Sequence, residues 1–200
     1  MQPAVLCLEQ KMTSRPHGFT LLELLAVILV VGISLSIAVP SFQGMIARNS
    51  IATQVNGYLL AINLARSEAM RRGTQVTIQS ADDGADGDDE FGNGYCVQVG
   101  NPGDSGFSNT CAYVDSKCDD GQLPGCILRD FPPLTGTGQL NSVENVGALT
   151  FGSMGELSET NVRNIDLCVD GQEGRRIRIS LVGRSRSHRP GEAVEPSCPP

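Results

Sequence analysis

The spacing of apolar positions along the chain changes twice. Over residues 19–39 they are almost continuous, 21 residues in which Glu23 is the single charge, before Pro40 interrupts. At ~1.5 Å per residue a helical run of that length crosses a bilayer. A carboxylate near the start of such a run is costly in lipid and calls for a partner or a function. Beyond Pro40, Ile51, Val55, Leu59, Ile62, Ala65 and Ala69 recur at intervals of three and four, which makes one apolar helix face. Arg71 and Arg72, followed by Gly73, supply the basic last turn and glycine stop of a helix C-terminus. The pattern predicts a helix over 19–72, about 80 Å long, kinked or loosened near Pro40 and Gly44.

From residue 75 the period falls to two. Short strands are predicted at 75–79, 95–99, 127–131 (closed by Pro132 and Pro133) and 148–151. Residues 165–169 and 175–182 read as a hairpin about Asp170 and Gly171. In its second arm Ile177, Ile179 and Leu181 should face one way, and Arg176, Arg178 and Ser180 the other. One long helix followed by a run of strands predicts an α+β architecture, the helix packed on an antiparallel β-sheet head.

The apolar run is preceded by a polar, basic leader carrying Lys11, Arg15 and His17 and ending at Gly18. The glycine stands before the hydrophobic segment, whereas a secretory signal peptide has its small-residue cleavage site after it. Gly18-Phe19-Thr20-Leu21-Leu22-Glu23-Leu24-Leu25 resembles the class III signal of type IV prepilins and type II secretion pseudopilins. The resemblance implies that a prepilin peptidase cuts between Gly18 and Phe19 and methylates the new N-terminal Phe19. It also implies that Glu23 pairs with the N-terminal amine of a neighbouring pilin subunit in a filament. Such pairing is physically reasonable, because a buried charge is tolerated when another neutralises it within hydrogen-bond reach. Residues 61–69, Ala-Ile-Asn-Leu-Ala-Arg-Ser-Glu-Ala, resemble the helix end of the GspH/FimT branch, whose β-rich head follows directly. The implied layout is a pilin-like fold: leader 1–18, transmembrane half-helix 19–39, amphipathic half-helix 40–72 and head 73–200.

Composition places the head. Six cysteines follow the leader's Cys7: Cys96, Cys111, Cys118, Cys126, Cys168 and Cys198. They suggest disulfides formed in an oxidising compartment. The leader's positive charges favour an inside leader and an outside C-terminal domain. Both point to an inner-membrane protein with a periplasmic head, later part of a pilus or pseudopilus. Cys168 and Cys198 are expected to pair, and Cys96, Cys111, Cys118 and Cys126 to pair among themselves, stapling the loops of 96–126 around a thin core. No metal or cofactor is expected, since no C-x-x-C occurs and His188 is the one histidine after the leader. No nucleophile elbow or phosphate-binding glycine loop points to an enzyme.

Charge is unevenly spread. The formal net charge is −7, so nucleic-acid contact would need a local basic patch. Residues 82–130 hold eleven acids against Lys117 and Arg129. Asp82, Asp83, Asp86, Asp88, Asp89 and Glu90 alternate with glycines in a way that suits Ca²⁺, yet they miss the EF-hand register. A solvated acidic loop is the expectation taken. Over 163–189 the balance reverses, to seven arginines and three acids.

Within that basic stretch lies Gly183-Arg184-Ser185-Arg186, expected as a loop leaving the strand at Val182. Arginines at i and i+2 point to one side of an extended segment and present planar forks to successive phosphates. Arg176, Arg178, Arg189 and His188 would broaden the patch. The four residues resemble a motif of FimT-type minor pilins that bind DNA in natural transformation. The resemblance implies a minor pilin near a pilus tip that binds DNA without sequence preference. Two alternatives remain at this stage: a GspH-like pseudopilin of a type II secretion system, and a purely structural initiator of pilus assembly.

Overall fold

The computed structural model describes residues 19–81, 90–111, 124–135, 138–169, 173–189, 191–192, 196 and 198. The leader with Gly18, the acidic run 82–89, Cys118 and the Asp170-Gly171 turn lie outside them. Two compact units divide at Gly44 and Met45.

In the first unit the described residues form the start of helix α1 (Leu21–Arg72). Thr20 caps it: the Glu23 amide donates to Thr20 Oγ1 (3.2 Å) and the Leu24 amide to the Thr20 carbonyl (3.2 Å). Glu23 sits in the first turn, where a negative charge opposes the helix dipole. The helix continues through Pro40, although proline has no amide to donate there. The apolar side chains of 21–37 are exposed, and the most apolar eighteen-residue window of α1 has a mean hydropathy of 2.6.

The second unit holds the core. Ile51, Val55, Ile62, Ala65 and Ala69 are buried, as the periodicity predicts, with Tyr58 and Ala61 beside them; Leu59 is half-buried. Gly73, at φ +67°, ends the helix, and its amide donates to the Ala69 carbonyl (2.9 Å). Eight strands follow: β1 (Val76–Ser80), β2 (Tyr95–Val99), β3 (Ile127–Phe131), β4 (Gly138–Ser142), β5 (Ala148–Phe151), β6 (Arg163–Val169), β7 (Arg175–Ile179) and β8 (Ser185–His188). They make two four-stranded antiparallel sheets, ordered β3-β2-β1-β5 and β4-β6-β7-β8.

Both sheets contribute to one core with α1, including Ile78 and Leu149 from the first and Ile165, Leu167, Ile177 and Ile179 from the second. Tyr58 meets Phe91 and Tyr95 edge-on (5.3 and 5.1 Å between centroids), and Tyr95 stacks on Phe131 (4.8 Å). The other face of the first sheet is polar. Thr77 donates to the Gly100 carbonyl (2.7 Å), and the side-chain amides of Gln79 and Gln98 donate to the carbonyls of Asn109 (2.8 Å) and Ser108 (2.7 Å). The 100–111 loop thus covers this face, fastened by a Cys96–Cys111 disulfide. Cys126 is also disulfide-bonded, to a partner outside the described residues.

Several expectations are corrected. β4 and β8 were not foreseen: β4 has Leu140 as its one large apolar side chain and β8 reads Ser-Arg-Ser-His, so neither shows apolar alternation. β6 starts earlier than predicted, and β7 ends at Ile179 instead of 182. Leu181 is exposed because the chain turns there, its carbonyl accepting from the Leu157 amide (2.9 Å). Glu90 leaves the acidic loop altogether. It is 2% exposed, accepts the Ser142 amide at Oε2 (2.8 Å) and the Ser80 hydroxyl at its carbonyl.

Burial, with the nearby charges of Tyr95 and Glu90, pushes the Tyr58 phenol well above its usual 10.0, and burial raises Tyr95 against the opposing pull of Arg129. A raised phenol stabilises the fold fully below about pH 10 and loses that contribution as pH rises towards the folded value. The melting temperature is therefore expected to fall above about pH 10. Among the described residues the Tyr58 hydroxyl has no hydrogen-bond partner, so Tyr58→Phe should be neutral or stabilising by up to about 1 kcal/mol and should flatten the alkaline fall. Thermal melts from pH 8 to 11 check both.

Candidate functional site

Arg176, Arg178 and Arg186 sit on the outer face of the second sheet, whereas Arg163 and Arg175 share the face of Ile179 and Leu167. Ile177 and Ile179 of β7 point into the core, so Arg176 and Arg178 point outward. β8 pairs with β7 in the register Arg176 with His188 and Arg178 with Arg186. This puts Arg186 across from Arg178, with Arg184 two residues earlier. Arg178, Ser180, Arg184, Arg186 and His188 line a cleft of about 270 Å³.

The turn between β7 and β8 aims Arg184. The Gly183 amide donates to the Ser180 carbonyl (2.8 Å), and the Ser180 amide donates to the Arg184 carbonyl (2.9 Å). The Arg184 amide donates to the Ser180 hydroxyl (3.2 Å). Gly183 is buried at φ +74°, and a Cβ there would overlap the Gly155 carbonyl oxygen. That same carbonyl accepts from Arg66 Nε (3.0 Å) on α1. A Cβ on Gly155, itself at φ +78°, would crowd the Met70 and Arg66 side chains. The turn is therefore seated on the helix through two glycine backbones. Ser at the first turn position and Gly at the fourth is a readable turn signal; nothing in the sequence marks Arg66 or Gly155 as its support.

The arginines divide by partner. Arg163 pairs with Glu159 (2.5 Å), Arg71 and Arg72 with Glu68 (2.6 and 2.7 Å). Arg176 holds Asp166 in a two-pronged contact (2.6 and 2.5 Å), and this bond raises the Arg176 pKa further above its ordinary value. Arg176 is thus committed within the sheet, contrary to its expected place in the basic patch. Arg178, Arg184, Arg186 and Arg189 are exposed and form no ion pair with a carboxylate among the described residues. His188 Nδ1 lies 3.0 Å from Glu192 Oε2. Motif and patch are therefore a turn plus an edge strand, not the expected loop.

Cys168 and Cys198 form a disulfide that ties the C-terminal segment to β6 and closes a loop around β7, the turn and β8. A second depression, about 370 Å³, is lined by Asn93, Thr110, Asp130 and Pro132 among others; its one ionisable side chain is acidic. No cluster of metal-ligating side chains occurs among the described residues.

Comparisons with known proteins agree with this architecture. The family model for type II transport protein GspH matches residues 54–183, and that for the prokaryotic N-terminal methylation motif matches 13–39. The first match stops at Gly183, so Arg184 and Arg186 lie beyond it. No curated protein matches the chain. Among solved structures it is similar to the type IV minor pilin FimU of Pseudomonas aeruginosa (strain PAO1), with 21% identity and a TM-score of 0.53 over 76% of this chain and 96% of that one. It is also similar to the minor pseudopilin EpsH of the Vibrio cholerae type 2 secretion system, with 17% identity and a TM-score of 0.47 over 72% and 99%.

Gly183→Ala should lower stability by at least about 1 kcal/mol, because alanine disfavours positive φ and its Cβ collides with backbone. Arg66→Ala should loosen the same turn with a smaller loss. Thermal melts and the exchange rates of the 180–184 amides measure both effects.

Proposed function

The chain belongs to the GspH family of type II transport proteins, and from that premise we propose that it is a minor pilin whose arginine cleft binds DNA through its phosphates. Prepilin peptidase cuts between Gly18 and Phe19 and methylates Phe19. The apolar half of α1 holds the protein in the inner membrane, with the head in the periplasm, until it joins other pilins in a filament. The methylation-motif match and the apolar helix support this sequence of events. Glu23 has no ion pair among the described residues, in keeping with a carboxylate whose partner is the amine of another subunit.

One observation carries the DNA reading: Arg178, Arg184 and Arg186, exposed and without a described carboxylate partner, converge on one cleft in a protein of net charge −7. Planar forks suit phosphate oxygens, and backbone contacts carry no sequence information. The cleft has no aromatic side chain in its lining, so base stacking contributes little. Natural transformation is the process such a filament-borne contact would serve. The family description itself favours a second reading, a pseudopilin of a type II secretion system whose head meets other subunits. In neither reading is the protein an enzyme.

DNA binding by the full chain in non-ionic detergent, across a salt series, separates the two. Affinity should fall linearly on a log–log plot, and Arg184→Ala/Arg186→Ala should weaken binding and reduce the slope by roughly 1.8 for two lost phosphate contacts. No binding at low salt, or an unchanged slope in the variant, leaves the secretion reading. Separately, Glu23→Ala should leave leader removal intact, seen as the mass of the mature chain, and abolish incorporation into filaments.

A further inference from the structure

The β7–β8 pairing contains a like-charge opposition. Arg178 and Arg186 are direct partners in register, both exposed, and like charges directly opposite destabilise an antiparallel pair. The neighbouring row is balanced: Arg176 is held by Asp166, and His188 lies beside Glu192. β8 is also a short edge strand with no apolar side chain of its own. It has four residues, forms one edge of its sheet and bonds to β7 alone. The unbalanced row lines the cleft together with Ser180, Arg184 and His188.

An anion placed between opposed guanidiniums turns their repulsion into two charge-assisted contacts. A tetrahedral phosphate offers oxygens to both forks at once. We infer that the cleft seats a single phosphate group bridging Arg178 and Arg186 across the β7–β8 pair, so that occupancy fastens the edge strand β8. The inference rests on the anion reading of the cleft given above and adds where the phosphate sits and what it does to the fold. The phosphate is either free or part of a nucleic-acid backbone, and the chemistry of the seat is the same for both.

Short edge strands open locally at low free energy. A ligand that binds only the closed form slows that opening in proportion to 1 + [L]/Kd, about elevenfold at ten times Kd. The test is hydrogen exchange of the Ser185–His188 amides in the full chain in non-ionic detergent. One arm uses inorganic phosphate against chloride at equal ionic strength, and a second uses a short DNA duplex. Phosphate should slow β8 exchange towards elevenfold and leave the β1 and β2 amides unchanged. Arg178→Gln and Arg186→Gln should each lose the protection while the β1 and β2 amides still report an intact fold.

Protection by DNA at its own Kd, alongside protection by phosphate, identifies the backbone as a source of the same group. If DNA binds but free phosphate protects nothing, the single-phosphate seat is wrong and the broader anion reading stands. If neither ligand binds, both readings fail. Protection that survives in both glutamine variants overturns the bridging role of the two arginines.

Discussion

Burial of one face of helix α1 in the core that both sheets share is the constraint on which the rest of the head depends. That face carries an i, i+4 stripe of small residues, Ala61, Ala65 and Ala69, all fully buried. A larger side chain on that stripe would overpack the core, at a cost of about 1–3 kcal/mol. Arg66, next to Ala65, reaches the Gly155 carbonyl (3.0 Å). Gly155 in turn receives the buried Gly183, and Gly183 sets the turn from which Arg184 projects. A side chain in the helix thereby fixes the direction of an arginine on the far edge of the second sheet, through backbone atoms that admit no Cβ.

The two sheets play different parts around that helix. The central strands of the first, β1 and β2, are buried on both faces: the apolar face meets α1, and the polar face holds the 100–111 loop through side-chain amides and a disulfide. The second sheet has one buried face, which leaves its outer face open to carry charge. The Arg176–Asp166 pair ties β7 to β6 on that face. The arginines there without described acidic partners gather at the sheet's β8 edge, where charge also discourages edge-to-edge pairing with other chains. The Cys168–Cys198 disulfide closes this region covalently, in a protein whose buried aromatic side chains, among the described residues, are Tyr58, Phe91, Tyr95, Phe131 and Phe151.

Much of the architecture was legible in the sequence because it rests on periodicity. The apolar run, the three-and-four spacing from Ile51 to Ala69 and the Gly73 stop predict α1 to within two residues at its start. Strands β2, β3 and β5 show their apolar positions and agree in their bounds. β4 and β8 did not, because Gly-Gln-Leu-Asn-Ser and Ser-Arg-Ser-His are held by pairing with neighbours and not by their own apolar pattern. Glu90 misled for a related reason: composition placed it with the acidic run, whereas the fold buries it against the Ser142 amide. At the cleft, the Gly183–Arg186 motif was visible, but Arg176, expected to broaden the patch, is held by Asp166 opposite it across β6 and β7. Cross-strand neighbours are tertiary facts, and a single sequence does not state them.

The central claim is that arginines without acidic partners, held in one cleft, make the contact with an anionic backbone. Nitrogen-15 spectra of the guanidinium Nε–H groups, recorded on the labelled full chain in detergent during titration with a DNA duplex, address it directly. Signals of Arg178, Arg184 and Arg186 should shift together and saturate with one apparent Kd, while those of Arg163 and Arg176, already paired, stay in place. Shifts spread evenly over all the arginines, or confined to residues outside the cleft, would contradict the account.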